Sequence, residues 1–127
     1  MLITDTKLLA YLHDATVVEI TYNIKNESRS VEIAVVCNAA AGFADWDGRT
    51  LCVRLDDVVR FSLSAVGLIS GLESVDSWTD RISETLEADI LKMQSFGFDC
   101  TGIRFGVSFH SGSELEGLCR SISVDVR

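Results

Sequence analysis

The chain has 127 residues, of which 47% are apolar and 24% charged, a balance that fits a single domain over residues 1–127 and excludes intrinsic disorder. Its formal charge of −8, from 11 basic and 19 acidic residues, argues against nucleic acid and anionic membrane, which are met by clustered Lys and Arg. The apolar runs Val31–Val36 and Val58–Leu72 are too short or too interrupted to span a membrane, and Met1–Asp5 lacks the basic start and apolar stretch of a signal peptide, so a soluble, cytoplasmic protein is expected.

Asp5–Leu12 reads as a short helix, with Asp5 as its cap and Leu8, Leu9 and Leu12 on one face. From Ala15 the apolar period changes to two. Val18, Ile20, Tyr22 and Ile24 alternate with Glu19, Thr21 and Asn23, the pattern of a half-buried strand. Asn26-Glu27-Ser28 turns the chain, and Val31, Ile33, Val35 and Cys37 form the returning strand of a hairpin. Ala39–Gly48 reads as a loop ending in Asp47-Gly48, a tight-turn pair. Leu51, Val53 and Leu55 mark a third strand, Asp56-Asp57 a bend or bulge, and Val59, Phe61, Leu63 and Ala65 a resumed strand.

Gly67–Asp76 reads as a linker. Ser77–Met93 carries Trp78, Ile82, Leu86, Ile90 and Met93 at helical spacing, with Ser77 as a cap and Gly97 as a stop. Ile82, Leu86, Ala88 and Ile90 also fit period two, and helix is the favoured reading. Ile103, Phe105, Val107 and Phe109 form a strand, His110–Glu114 a turn, and Leu118, Ile122, Val124 and Val126 a last strand. The expected fold class is α+β: a mostly antiparallel twisted sheet of about six or seven strands, with a short N-terminal helix and one further helix. The absence of proline agrees with a chain made mostly of sheet ladder.

The residues that carry chemistry are few. Cys37, Cys52, Cys100 and Cys119 form no Cys-x-x-Cys pair and have no histidine at ligand spacing, so reduced thiols are expected, with no metal and no cofactor. His13-Asp14 is a candidate base pair, but neighbours in sequence seldom point at each other; a histidine packed at the helix end, with Asp14 bonding backbone amides, is the favoured reading. His110 reads as an exposed turn residue. No catalytic motif emerges, and the expected class is a non-enzymatic protein. Asp45-Trp46-Asp47 places a Trp between two acids on a loop, either an exposed anchor for a partner or a cover for one end of the sheet. Residues 71–95 hold six acids (Glu73, Asp76, Asp80, Glu84, Glu87, Asp89) against Arg81 and Lys92, half of the net charge, either a solvated face or a surface for a basic partner. The apolar surplus suggests burial between subunits, as in a homodimer.

Tyr11–Ala15 with the strand Val17–Tyr22, the closing Phe109–Ser113 with the strand Ser121–Val126, and the central Leu51–Leu63 together resemble the immunity protein 50 family of small bacterial proteins. The resemblance implies a β-rich domain that binds and blocks a cognate polymorphic toxin, with strand running through Ser77–Met93. On that reading the contact residues are Asp45, Trp46, Asp47, Asp80, Glu84 and Glu87, the Trp as anchor and the carboxylates as mimics of an anionic substrate. The alternative is a homo-oligomeric domain that binds a small ligand.

Overall fold

In the computed structural model, which describes residues 1–37, 45–64 and 73–127, the alternating runs become one sheet of eight strands. Thr6–Leu12 is a 3-10 helix, opened by Asp5, whose carboxylate accepts from the Lys7 amide, and burying Leu9 and Leu12. The strands are β1 (Thr16–Lys25), β2 (Ser28–Val36), β3 (Thr50–Asp56), β4 (Arg60–Ser64), β5 (Glu73–Thr79), β6 (Ile103–Phe109), β7 (Glu114–Cys119) and β8 (Ser121–Val126), with helix α1 (Glu84–Ser95) between β5 and β6. Their order across the sheet is β4-β7-β6-β5-β1-β2-β3-β8, and every strand pairing is antiparallel.

Two corners fold this sheet over its own core. At the first, β1 and β5 pair at Thr16–Ser74 and Val17–Glu73, extended by amide bonds between Ala15 or Asp14 and Val75. At the second, β3 runs through Asp57–Val59 into β4 while its partner β8 follows directly from β7. The ladder continues through the bend, because the Arg120 amide donates to Asp56 O and the Val59 amide to Leu118 O. Asp57 (φ 50°) makes the bend expected at Asp56-Asp57. Strands that change sheets at such bends are how orthogonally packed sheets close. Between the corners lies one core: Val31, Ile33 and Val35 of β2, Leu51, Val53 and Leu55 of β3, and Ile122 and Val124 of β8 meet Val75, Phe105, Val107, Phe109, Leu115 and Cys119 from the other half.

Several expectations are corrected. The stretch read as one last strand is two, divided at Arg120 and paired to different neighbours. The linker read over Gly67–Asp76 becomes strand from Glu73 onward; its earlier part lies outside the described residues, as do Ala39–Phe43 and Ala44 of the first loop. The helix expected from Ser77 starts at Glu84. Ser83 caps it, its hydroxyl accepting from the Leu86 amide, whereas Ser77, Trp78 and Thr79 belong to β5. Gly97 (φ 88°) does end the helix, its left-handed backbone letting the Phe98 amide reach Met93 O.

Helix α1 lies on the outer side of β7, where Leu86 and Ile90 pack with Leu118 and Cys100 in a second, smaller core. The inner side of β7 is tight in a different way. A Cβ at Gly117 would overlap the Arg60 carbonyl oxygen and lie 2.7 Å from the Phe105 ring, so the bare backbone there admits Phe61 and Phe105 from the strands on either side.

Candidate functional site

The first corner gathers the chain's two histidines. The 3-10 helix ends at His13, and Asp14 takes a left-handed backbone (φ 64°) while its amide donates to Val75 O at 2.8 Å. That turn directs the Asp14 carboxylate between two imidazoles: His110 Nε2 lies 2.8 Å from Oδ1 and His13 Nε2 lies 3.3 Å from Oδ2. His13 Nδ1 donates to the Asp76 carbonyl at 2.5 Å, and His110 Nδ1 sits 3.6 Å from Asp76 Oδ1. Asp76 reaches this position because β5 slips register against β6 between Val75 and Ser77. The rings stand edge to face, 6.0 Å apart.

Beside them, Glu73 accepts from the Ser111 hydroxyl, from the Ser111 amide at 3.3 Å and from the Ser74 amide at 3.2 Å. Desolvation pushes the Glu73 carboxyl up, but these hydrogen bonds and the neighbouring His110 outweigh it and hold the group below the usual carboxylate range. The serine hydroxyls are engaged with carboxylates or with one another: Ser111 with Glu73 and Ser113, Ser108 with Asp76 and Ser77. No serine–imidazole hydrogen bond, the contact that activates the serine of a Ser-His-Asp triad, is formed among the described residues. The chemistry available is a polar clasp that ties the helix end, β1, β5 and β6 together. No group of three or more metal-ligating side chains suited to an ion is found among the described residues.

From the clasp, Ser108 and Ser77, whose hydroxyls are 2.6 Å apart, lead along the outer face of β5, β6 and β7 into a cleft of about 290 Å³. Its walls include Thr79, Arg81, Ser83, Glu114 and Glu116. The cleft floor depends on Gly106: a Cβ there would come within 2.6 Å of Arg81 O, where the chain leaves β5 and crosses β6. Glu116 accepts from both the amide (2.9 Å) and the hydroxyl (2.5 Å) of Ser83, pinning the start of α1 to β7.

The residues expected to make partner contacts do not form one surface. Trp46 is 2% exposed and belongs to the main core, so it covers the sheet instead of anchoring a partner; an indole is more stable within that core than in water. Asp45 is exposed, and Asp47 is half-buried, its Oδ1 lacking a hydrogen-bond partner among the described residues. This turn precedes β3, three strands across the sheet from β5. Glu87 is taken by Arg104 in a two-pronged bond, Nε–Oε1 at 2.5 Å and Nη2–Oε2 at 3.0 Å, which ties α1 to β6 and, with partial opposition from desolvation, lowers the Glu87 carboxyl. Asp80 and Glu84 remain exposed beside the cleft with no ion pair among the described residues.

Local spacing marks His110 only as a turn residue and Asp14 only as an acceptor of backbone amides; their partnership spans 96 residues and leaves no trace there. In comparisons with family models, with curated proteins and with solved structures, nothing matched this chain.

Proposed function

We propose that this chain is a non-enzymatic binding domain whose partner presents a basic protein surface, as a toxin does to the immunity protein that occludes it. One observation carries the reading: Glu114 lines the cleft on β5–β7, Asp80 and Glu84 adjoin its lining residues Arg81 and Ser83 in sequence, and these three exposed carboxylates form no ion pair among the described residues and outnumber the one lining cation, Arg81. Uncompensated carboxylates beside a concave surface raise the encounter rate with a positively charged partner and set its orientation. The hydrogen-bonding of Ser77, Ser108 and Glu116 makes the cleft walls rigid, which lowers the ordering cost of association. Trp46 has no part in this surface.

The test is a search for binding to, and growth protection against, toxin-like proteins encoded in neighbouring genes, and the absence of any such partner would count against the reading. Glu84→Lys combined with Glu114→Lys is expected to weaken association by about tenfold or more and to flatten its dependence on salt. Unchanged affinity and protection in that double variant, with the fold intact by circular dichroism, would remove the cleft from the interface.

A further inference from the structure

The first corner leaves β1 with one side bare. β5 pairs with it at Thr16 and Val17, and the register of β1 against β2 shifts between Val17 and Glu19. Beyond that bulge, among the described residues, β1 has β2 on one side and no strand on the other. Lys25 and Ser28 close a two-residue turn, so they exchange hydrogen bonds, and pairing alternates back along the strand. The backbone groups of Glu19, Thr21, Asn23 and Lys25 therefore face β2, and those of Ile20, Tyr22 and Ile24 face the bare edge. The side chains of these same three residues lie on the core side, opposite Ile33, Val31 and Arg29, yet they are 36%, 41% and 65% exposed. An edge of this length with uncovered apolar side chains is a template for another strand.

We propose that a second copy of this chain fills it, β1 against β1 antiparallel about a two-fold axis at Tyr22. Two observations fix that register independently. The bare stretch runs from Glu19 to Lys25, and its midpoint is Tyr22, so a two-fold there gives the longest ladder. The same register sets Glu19 against Lys25 of the second copy, twice, and Ile20 against Ile24, twice, with Thr21 opposite Asn23. Shifting the axis by one residue in either direction loses both charge pairs. The pairing ends at Glu19, where β5 takes over the edge. Tyr22 is already held by Phe61, ring centres 4.8 Å apart, so its ring is ordered before association. The dimer joins the two four-strand halves β1-β2-β3-β8 into one continuous sheet, and it leaves the cleft on β5–β7 to other partners.

The experiment measures mass by light scattering and sedimentation across concentration for the full chain. Wild type is expected to dimerise. Glu19→Lys and Lys25→Glu should each raise the dimer dissociation constant about tenfold, since each replaces two opposite-charge pairs by two repulsive ones, and the double reversal should restore it. Both side chains are exposed, so folding, checked by circular dichroism, is not at stake. A register readout comes from cysteine cross-linking with a mild oxidant such as oxidised glutathione. Tyr22→Cys should give a disulfide-linked dimer, because only the residue on the axis meets itself, and Thr21→Cys should not. A monomer at every concentration overturns the proposal. So does a dimer indifferent to both charge reversals, or one cross-linked by Thr21→Cys in preference to Tyr22→Cys.

Discussion

Glu73, Glu87 and Asp99 each hold their proton less readily than an ordinary carboxyl. Desolvation opposes the effect at Glu73, where Ser111 and Ser74 donate; Arg104 lowers Glu87, and the Thr101 amide and hydroxyl lower Asp99. A depressed folded-state value adds stability that is full above the unfolded value of about 4.3 for Glu and lost as pH falls through the folded value. The protein is therefore expected to lose stability below about pH 4, and Glu73→Gln to shrink that loss while leaving the neutral-pH melting point lower than wild type; thermal melts across pH measure both. The opposite sign, a protein that gains stability on acidification through this window, would contradict the hydrogen bonds drawn to these groups. At this scale the sequence was least informative. Residue types announced Trp46 as large and apolar but not which side of the turn it would choose, and the Asp14–His110 contact depends on a corner that only the folded sheet creates.

The elements were more legible, because period two and period 3.6 follow from backbone geometry. Both hairpin strands, the bend at Asp57, the β6 strand and the stop at Gly97 were visible in the letters. The misreading of Ser77 has a physical source. Trp78, Ile82, Leu86, Ile90 and Met93 fit one helical stripe, yet Trp78 packs on the main core from β5 while the others serve the separate core under α1. Two environments that abut in sequence mimic a single face. Helix α1 itself depends on tertiary support: Leu86, Ile90 and Met93 pack on the small core around Leu118 and Cys100, Glu116 holds Ser83 at its start, and Glu87–Arg104 and an Arg60–Asp89 pair at 3.3 Å tie it to the sheet. Leu118→Ala is expected to cost about 2–5 kcal/mol and to speed hydrogen exchange in α1 ahead of β2 and β3. Exchange that rises evenly through the whole chain would mean that the helix and the sheet open as one unit.

For the molecule as a whole, the expected class of mostly antiparallel sheet with helix holds, with eight strands in place of six or seven. Alternation tells which side chains face inward but not which strand lies beside which, and it is blind to a strand that changes partners midway, as at Asp57 and Arg120. Among the described residues, no helix is long and apolar enough to cross a membrane. All four thiols are buried, and burial, with Asp56 nearby, pushes Cys119 up to about 12. Native protein is expected to resist iodoacetamide at pH 8 and to take up label at all four positions only at the rate of global opening, read by mass spectrometry with and without denaturant.

The bend shared by β3–β4 and β7–β8 has a consequence for how the chain is made. Residues 50–64 wait for 114–126 before this second corner can form, so during synthesis most of the inward-facing side chains of β2 and β3 emerge with nothing to cover them. Maturation of this domain is thus gated by residues 114–126 leaving the ribosome, and the chain before that point is the species most in need of a chaperone.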